Sequence, residues 1–278
     1  MAENTYYVDT ESTAPTSEGT YTAPFKTQGE LSTVMSNKVA ADRNTYYISG
    51  RSVFSCFQLS VDMTIIQGGD AFYGDWVPGT VSDRYTDREQ GHRAKMINAK
   101  PLTTAAGYTW LDQGGGVYKT TILLPDSDVS TNWTTFYSKY GADGSLAVDY
   151  LGNPLSFTGL YVKSGESYVP LMIQYTTTNP EADRWSTDST DIYVNLGGDD
   201  PNSKELYISC VGTNFSSLLT LENWSPGSYF EGFEVWFGFS NGNTGCVGGV
   251  YKNIDFYYSA TSAFANIGGY SDLEDIYI

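Results

Sequence analysis

Two acidic residues late in the chain have the spacing of paired carboxylates, provided the chain coils. Glu234 lies in Gly232-Phe233-Glu234-Val235 and Asp255 in Asn253-Ile254-Asp255-Phe256, and the pattern returns in Asp275-Ile276-Tyr277-Ile278. Each copy is a small or polar residue followed by apolar, polar and apolar, at steps of 21 and 22 residues. Carboxylates on neighbouring turns could act together in glycoside hydrolysis, where their separation decides the mechanism. Trp236 and Tyr257 lie one alternation further on; with Tyr277 they offer aromatic surface for binding a glycan. The plain alternative is a solvated face, on which two acids one turn apart repel mildly.

A second group is the basic stretch from Arg84 to Lys95, which holds the only histidine of an otherwise acidic chain. Lyase chemistry on uronates needs a base to take the proton beside the carboxylate and a cation to stabilise the enolate-like state. His92 and Arg93 are the residues there that could take those parts, against the alternative of a solvated loop paired with nearby acids. Nothing in this stretch repeats or aligns. Asp199-Asp200, and Asp70 with Asp75, offer hard oxygen ligands for calcium (Ca2+). Neither has an EF-hand spacing, and Asp-rich turns arise for local reasons. No metal is assigned and no cofactor is required; no motif supports calcium. Phosphate-cradling loops, nucleophile elbows and zinc-spaced histidines are not found.

Whatever positions these residues must repeat about every twenty residues. Val247-Gly248-Gly249 returns as Ile267-Gly268-Gly269, a step of 20. Alternation at period two marks half-buried strands, and recurrence near twenty marks a solenoid of stacked rungs. Phe233, Ile254 and Ile276 then stack inwards, as do Val235, Phe256 and Ile278. Glu234, Asp255 and Tyr277 form an outward column at about 4.8 Å per rung. Helical repeats would place apolar residues at i, i+3 and i+4, so the expectation is all-β: a right-handed parallel β-helix with an N-terminal capping helix and an inserted antiparallel β domain.

Thr5-Tyr6-Tyr7-Val8-Asp9 predicts a strand, and Thr45 to Gly50 another. Between them, Thr27 and Glu30 have capping-box spacing, with Leu31, Val34, Met35 and Val39 behind them. That predicts a helix over 28–40, suited to cover the open edge at one end of a solenoid. Residues 51–75 continue as early rungs, with Val61 to Ile66 strand-like. From 76 to 204 the rhythm gives way to hairpin-like pieces: Gly116 to Leu124, Gly159 to Val162, and Asp191 to Leu196 before a Gly-Gly-Asp-Asp-Pro turn. Leu206 to Ser209 is expected to resume the rungs. The division is therefore 1–75 (cap and first rungs), 76–204 (insertion) and 205–278 (further rungs). Asp275 to Ile278 stops in mid-strand, which leads us to expect more chain or another subunit over that end.

Composition agrees with strands and tight corners: 278 residues with 23 Tyr, 13 Phe, 6 Trp and 29 Gly. A net charge of −17 argues against nucleic acid or an anionic membrane surface as partner. No apolar run approaches the roughly 18 residues of a membrane span, so no membrane insertion is expected. Met1-Ala2-Glu3-Asn4-Thr5 is unlike a secretory signal, so we expect either assembly without export or a signal already removed. Cys56, Cys210 and Cys246 are scattered and odd in number, which suits small core residues better than a disulfide framework. Three Asn-X-Ser/Thr triplets, at Asn132, Asn214 and Asn223, mean little without a secretory route.

Tyr6-Tyr7-Val8-Asp9, then Gly19-Thr20-Tyr21-Thr22-Ala23-Pro24-Phe25-Lys26-Thr27, then Tyr46-Tyr47-Ile48-Ser49-Gly50 resembles the opening of right-handed parallel β-helix proteins. That superfamily, the pectate-lyase-like one, includes polysaccharide lyases and bacteriophage tailspikes and tail fibres. The resemblance covers about fifty residues; Trp185 to Pro201 also resembles segments of β-helix proteins that carry insertions. It implies a phage virion protein for host attachment: a homotrimer, or a partner of neighbouring virion proteins, with host cell-surface polysaccharide as carbohydrate ligand. Some such proteins cleave what they bind. Two alternatives are a bacterial polysaccharide lyase or glycoside hydrolase, secreted or at the cell surface, and a non-catalytic virion scaffold or decoration protein. One fold hosts many functions, so the resemblance speaks to fold first.

Overall fold

The computed structural model describes residues 2–37, 42–55, 69–86, 92–97, 99–121, 160–165, 167–174, 177–187, 191–209, 229–236, 250–257 and 272–277. Among these described residues, sixteen strands and one α-helix follow in chain order. They are β1 (Glu3–Val8), α1 (Gln28–Ser36), β2 (Arg43–Ser49), β3 (Val53–Ser55), β4 (Ala71–Trp76), β5 (Ala94–Ile97), β6 (Ala99–Pro101), β7 (Leu111–Gly114) and β8 (Val117–Thr121). Then come β9 (Leu160–Ser164), β10 (Ser167–Ile173), β11 (Arg184–Thr187), β12 (Asp191–Asn195), β13 (Leu206–Ser209), β14 (Tyr229–Trp236), β15 (Val250–Tyr257) and β16 (Asp272–Tyr277). The protein is mostly β. It divides into two compact units, Met1–Asn98 with Ser216–Ile278, and Ala99–Phe215.

Among the described residues of the first unit every pairing between these strands is parallel, in the order β1-β2-β4-β14-β15-β16, with β3 beside β5 and β5 beside β14. The expected columns are present: Phe233 opposes Ile254 and Ile254 opposes Ile276, while Glu234 opposes Asp255 and Asp255 opposes Tyr277. The residue that opens each sequence copy has a conformational reason. Gly232, Asn253 and Asp275 share one column and have φ of 80°, 51° and 52°. Glycine, Asn and Asp are the residues that tolerate this left-handed region. The turn it makes breaks the alternation, so Phe230 and Phe233 both point into the core and stack at 4.0 Å. Each long strand is thus two short ones joined at a corner: β4 pairs with the part before Gly232 and β5 with the part after it. Backbones crowd here, since a Cβ on Gly74 would come within 2.5 Å of the Gly232 carbonyl oxygen.

The core of this unit gathers Val8, Tyr46, Ile48, Phe54, Phe72, Met96, Phe230, Phe233, Val235, Tyr251, Ile254 and Phe256. Leu31 and Met35 of α1 enter the same cluster. The helix starts as expected, with the Thr27 hydroxyl accepting from Glu30 N at 3.2 Å and Glu30 Oε2 accepting from Thr27 N at 2.9 Å. It ends at Ser36, short of the expected 40.

The second unit is a sheet in the order β6-β13-β9-β10-β11-β12-β8-β7, antiparallel except between β10 and β11. Leu102, Trp110, Leu160, Trp185, Ile192, Val194 and Leu206 form its core. Asn202 fixes the loop before β7 by accepting from Trp110 N and donating to Trp110 O, both at 2.9 Å.

Two expectations are corrected. Leu206–Ser209 does not resume the rungs: β13 runs antiparallel between β6 and β9. Residues 76–97 do not open the insertion either, because β5 pairs in parallel with β3 and β14. Short alternating strands look alike in both settings, so the pattern alone could not assign them. Val61 to Ile66, the Val247 and Ile267 repeats, the three cysteines and the three Asn-X-Ser/Thr triplets lie outside the described residues.

Candidate functional site

β14 and β15 place Glu234 and Asp255 opposite each other on the side of the stack away from Phe233 and Ile254. β5 and the residue before it deliver two cations to the same spot. Lys95 opposes Glu234 across the β5–β14 pairing, and Arg93 immediately precedes the strand. Arg93 Nη2 donates to Asp255 Oδ2 and lies 3.5 Å from Glu234 Oε1. The Trp236 indole N–H donates to Glu234 Oε2 at 3.1 Å, and the Tyr257 hydroxyl donates to Asp255 Oδ2 at 3.2 Å. Above them Trp236 and Tyr257 stack at 4.2 Å with 18° between planes. The acid pair and the arginine, from two separate stretches of sequence, therefore meet in one cluster.

The cluster is closed. Arg93 is 2% exposed, Glu234 0%, Asp255 5% and Trp236 2%. The solvated outward face expected for the acids is thus corrected to a buried ion cluster. Trp236 likewise presents no open face to a sugar, whereas Tyr257 is half-buried and Tyr277 is exposed. Burial first, and the neighbouring Asp255 carboxylate among the other causes, hold the Glu234 carboxyl above its ordinary value, against the pull of Lys95, Trp236 and Arg93. For Arg93 burial works against the charge, but Asp255 and Glu234 outweigh it and the guanidinium is held more firmly protonated. The Tyr257 hydroxyl is pushed up to about 12 by burial and the two carboxylates. Arg93 Nε and Nη1 and Glu234 Oε1 make no hydrogen bond among the described residues. A raised carboxyl beside a second carboxylate is a recurring feature of acid–base pairs, and equally of structural ion networks.

His92 stacks on Tyr85, with ring centroids 4.3 Å apart and 11° between planes. Asp70 is buried and accepts from Asn44 N at 2.9 Å. Asp200 caps a short 3-10 turn through Asn202 N, and Asp199 pairs with Lys204 at 2.8 Å. Among the described residues no three His, Cys, Asp or Glu side chains are grouped to hold a metal ion.

A second cluster joins the calcium candidate Asp75 to Arg84 of the basic stretch, as the alternative of pairing with nearby acids has it, and adds Glu231. Arg84 grips Asp75 through Nε (2.6 Å) and Nη2 (2.8 Å) and Glu231 through Nη1 (2.9 Å). Its guanidinium lies 4.3 Å from the Tyr73 ring centroid. Tyr73 belongs to a ladder in which Tyr7 stacks on Tyr47 at 5.4 Å and Tyr47 on Tyr73 at 5.3 Å. Aligning Tyr6-Tyr7-Val8, Tyr46-Tyr47-Ile48 and Phe72-Tyr73-Gly74 as rungs reveals the ladder; nothing local foretells the reach from Arg84 to Glu231.

No protein family matches the chain, and no curated protein does. Among solved structures, one described as "The complex structure of XylC with xylose" is similar at a TM-score of 0.45 and 13% identity. The match covers 91% of this chain and 40% of that one, so the chain spans about two fifths of the length of its structural neighbour. Likeness at that level carries no argument about this chain.

Proposed function

We propose that the parallel stack is a right-handed β-helix and that the protein is a tailspike- or tail-fibre-type attachment protein of a phage virion, binding host surface polysaccharide without cleaving it. The observation that carries this reading is the stack: parallel rungs in register, a repeated left-handed corner and a helix packed on the core. These fit the family that the first fifty residues resemble. Binding is favoured over cleavage because Glu234 and Asp255 are tied to Arg93 and closed off, and a general acid must reach the proton acceptor. The test joins light scattering, before and after brief SDS treatment, to a panel of bacterial surface polysaccharides assayed for retention and for new reducing or unsaturated ends. A detergent-resistant trimer that retains at least one polysaccharide without releasing ends is expected. A monomer that releases ends, and loses this in Glu234→Gln, would replace the reading with the enzyme.

A further inference from the structure

The outward face of the first rungs carries three adjacent columns. Tyr6, Tyr46 and Phe72 point into the core, so their neighbours along the strands point out. One column is Glu3 opposite Arg43. The next is Thr5, Thr45, Ala71 and Tyr229, and the third is Tyr7, Tyr47, Tyr73 and Glu231. The middle column is therefore low across three strands; the tyrosine column flanks it throughout, and Glu3 and Arg43 flank its first two members. At the usual strand spacing that gives a shelf about 10 Å long. Thr5 is exposed, and Thr45 and Ala71 are half-buried.

Tyr229 closes the shelf. The first three rings of the ladder are nearly parallel, at 14° and 23°, but Tyr229 meets Tyr73 at 46° and 5.5 Å. Its register explains the tilt. Tyr73 is opposed by Glu231, so Tyr229 stands two residues back, over the Ala71 methyl group with Thr45 beyond. No aromatic side chain stands beside it in its own column, where its neighbours are Ala71 and Val250.

We propose that this shelf binds an uncharged sugar residue of a polysaccharide, which rests on the attachment reading above. Tyr229 and the ring edges of Tyr47 and Tyr73 meet the apolar C–H face of the sugar, and the Thr5 and Thr45 hydroxyls meet its hydroxyl groups. Tyrosine suits such a boundary, having an apolar body and a polar tip. The charges select against an anionic ligand. Arg84, on Tyr73, is already gripped by Asp75 and Glu231, Arg43 stands opposite Glu3, and the chain as a whole carries −17.

Two variants test this by fluorescence titration of the full chain with dextran, mannan and galactan oligosaccharides, and with polygalacturonate. Thr45→Tyr fills the shelf with a ring, and Tyr229→Ala removes its end wall. The wild type is expected to bind an uncharged oligosaccharide, and both variants to lose at least tenfold in affinity with assembly mass and melting temperature unchanged. Unchanged affinity in Thr45→Tyr, whatever Tyr229→Ala does, overturns the shelf and leaves the attachment reading standing. Binding of polygalacturonate alone overturns the uncharged ligand. A wild type that binds none of these probes overturns the shelf; the attachment reading falls with it only if the bacterial polysaccharide panel is also negative.

Discussion

Arg84 and Arg93 both tie carboxylates of β14 to residues more than a hundred positions away, but they do so in opposite ways. Arg84 keeps a quarter of its side chain in solvent and uses three nitrogens in a fork on Asp75 and Glu231, with Tyr73 beneath it. Arg93 is almost wholly buried, engages its carboxylates through Nη2, and leaves Nε and Nη1 without a hydrogen bond among the described residues. The geometry that makes an arginine–carboxylate pair strong is complete at Arg84 and incomplete at Arg93. Desolvation is heavier at Arg93, where burial opposes every charge in the cluster. The lesson is that the more buried pair is the more brittle one: it gains less per bond and has more to lose when a partner goes.

The largest effect should follow from breaking that pair. Arg93→Ala leaves Glu234 and Asp255 buried without their guanidinium, and removing one partner of a buried ion pair costs about 3–5 kcal/mol. Urea denaturation should show a loss of that order, or a chain too unstable to purify. Replacing all three groups, Arg93→Met with Glu234→Gln and Asp255→Asn, should recover most of it. If Arg93→Ala unfolds at the wild-type midpoint, the cluster is wetter than its burial indicates and the contrast with Arg84 collapses.

Arg84→Ala should cost less, about 2 kcal/mol, the scale of hydrogen bonds to charged groups. Asp75 can take a proton once its partner is gone. Burial, followed by the Glu231 charge, already holds its carboxyl above the ordinary 3.8 against the pull of Arg84. The deficit should therefore shrink as the pH is lowered. A deficit equal to that of Arg93→Ala at every pH would show that exposure does not distinguish the two sites.

The parallel strands β14 to β16 were legible in the sequence because each carries its own mark. A left-handed corner admits Gly, Asn or Asp, and two or three alternating residues follow, so Gly232, Asn253 and Asp275 announced the register that the structure has. The helix was legible for a similar reason, since Thr27 and Glu30 are a local device. What covers Glu234 was not legible. Period two tells which side of a strand a residue faces and is silent about what lies against that side. Arg93 and Asp255 are 162 positions apart, and Arg84 and Glu231 are 147 apart, with no periodic signal joining them. Leu206–Ser209 was misassigned because an alternating tetrapeptide carries no record of its partner's direction.

The smallest effect tests whether Glu234 strains the cluster or relaxes it. Its folded-state carboxyl sits above the ordinary 4.5. A group with a raised folded-state value holds its proton better folded than unfolded, so folding gains as the pH falls through that interval. The gain is lost as the pH rises past the folded-state value, where both forms are ionised and the buried charge counts against the fold. Glu234→Gln has no such proton. The wild type should therefore gain stability relative to Glu234→Gln as the pH is lowered from neutral towards 4.5, by on the order of 1 kcal/mol per unit of raised value. Asp75 has the same sign, so a slope common to both proteins will remain, and the melting-temperature difference between them is the quantity to follow. A difference that runs the other way, with the variant gaining in acid, would mean that Arg93 and Lys95 outweigh burial at Glu234. Arg93 would then be as well matched as Arg84, and its two unbonded nitrogens would cost the fold little.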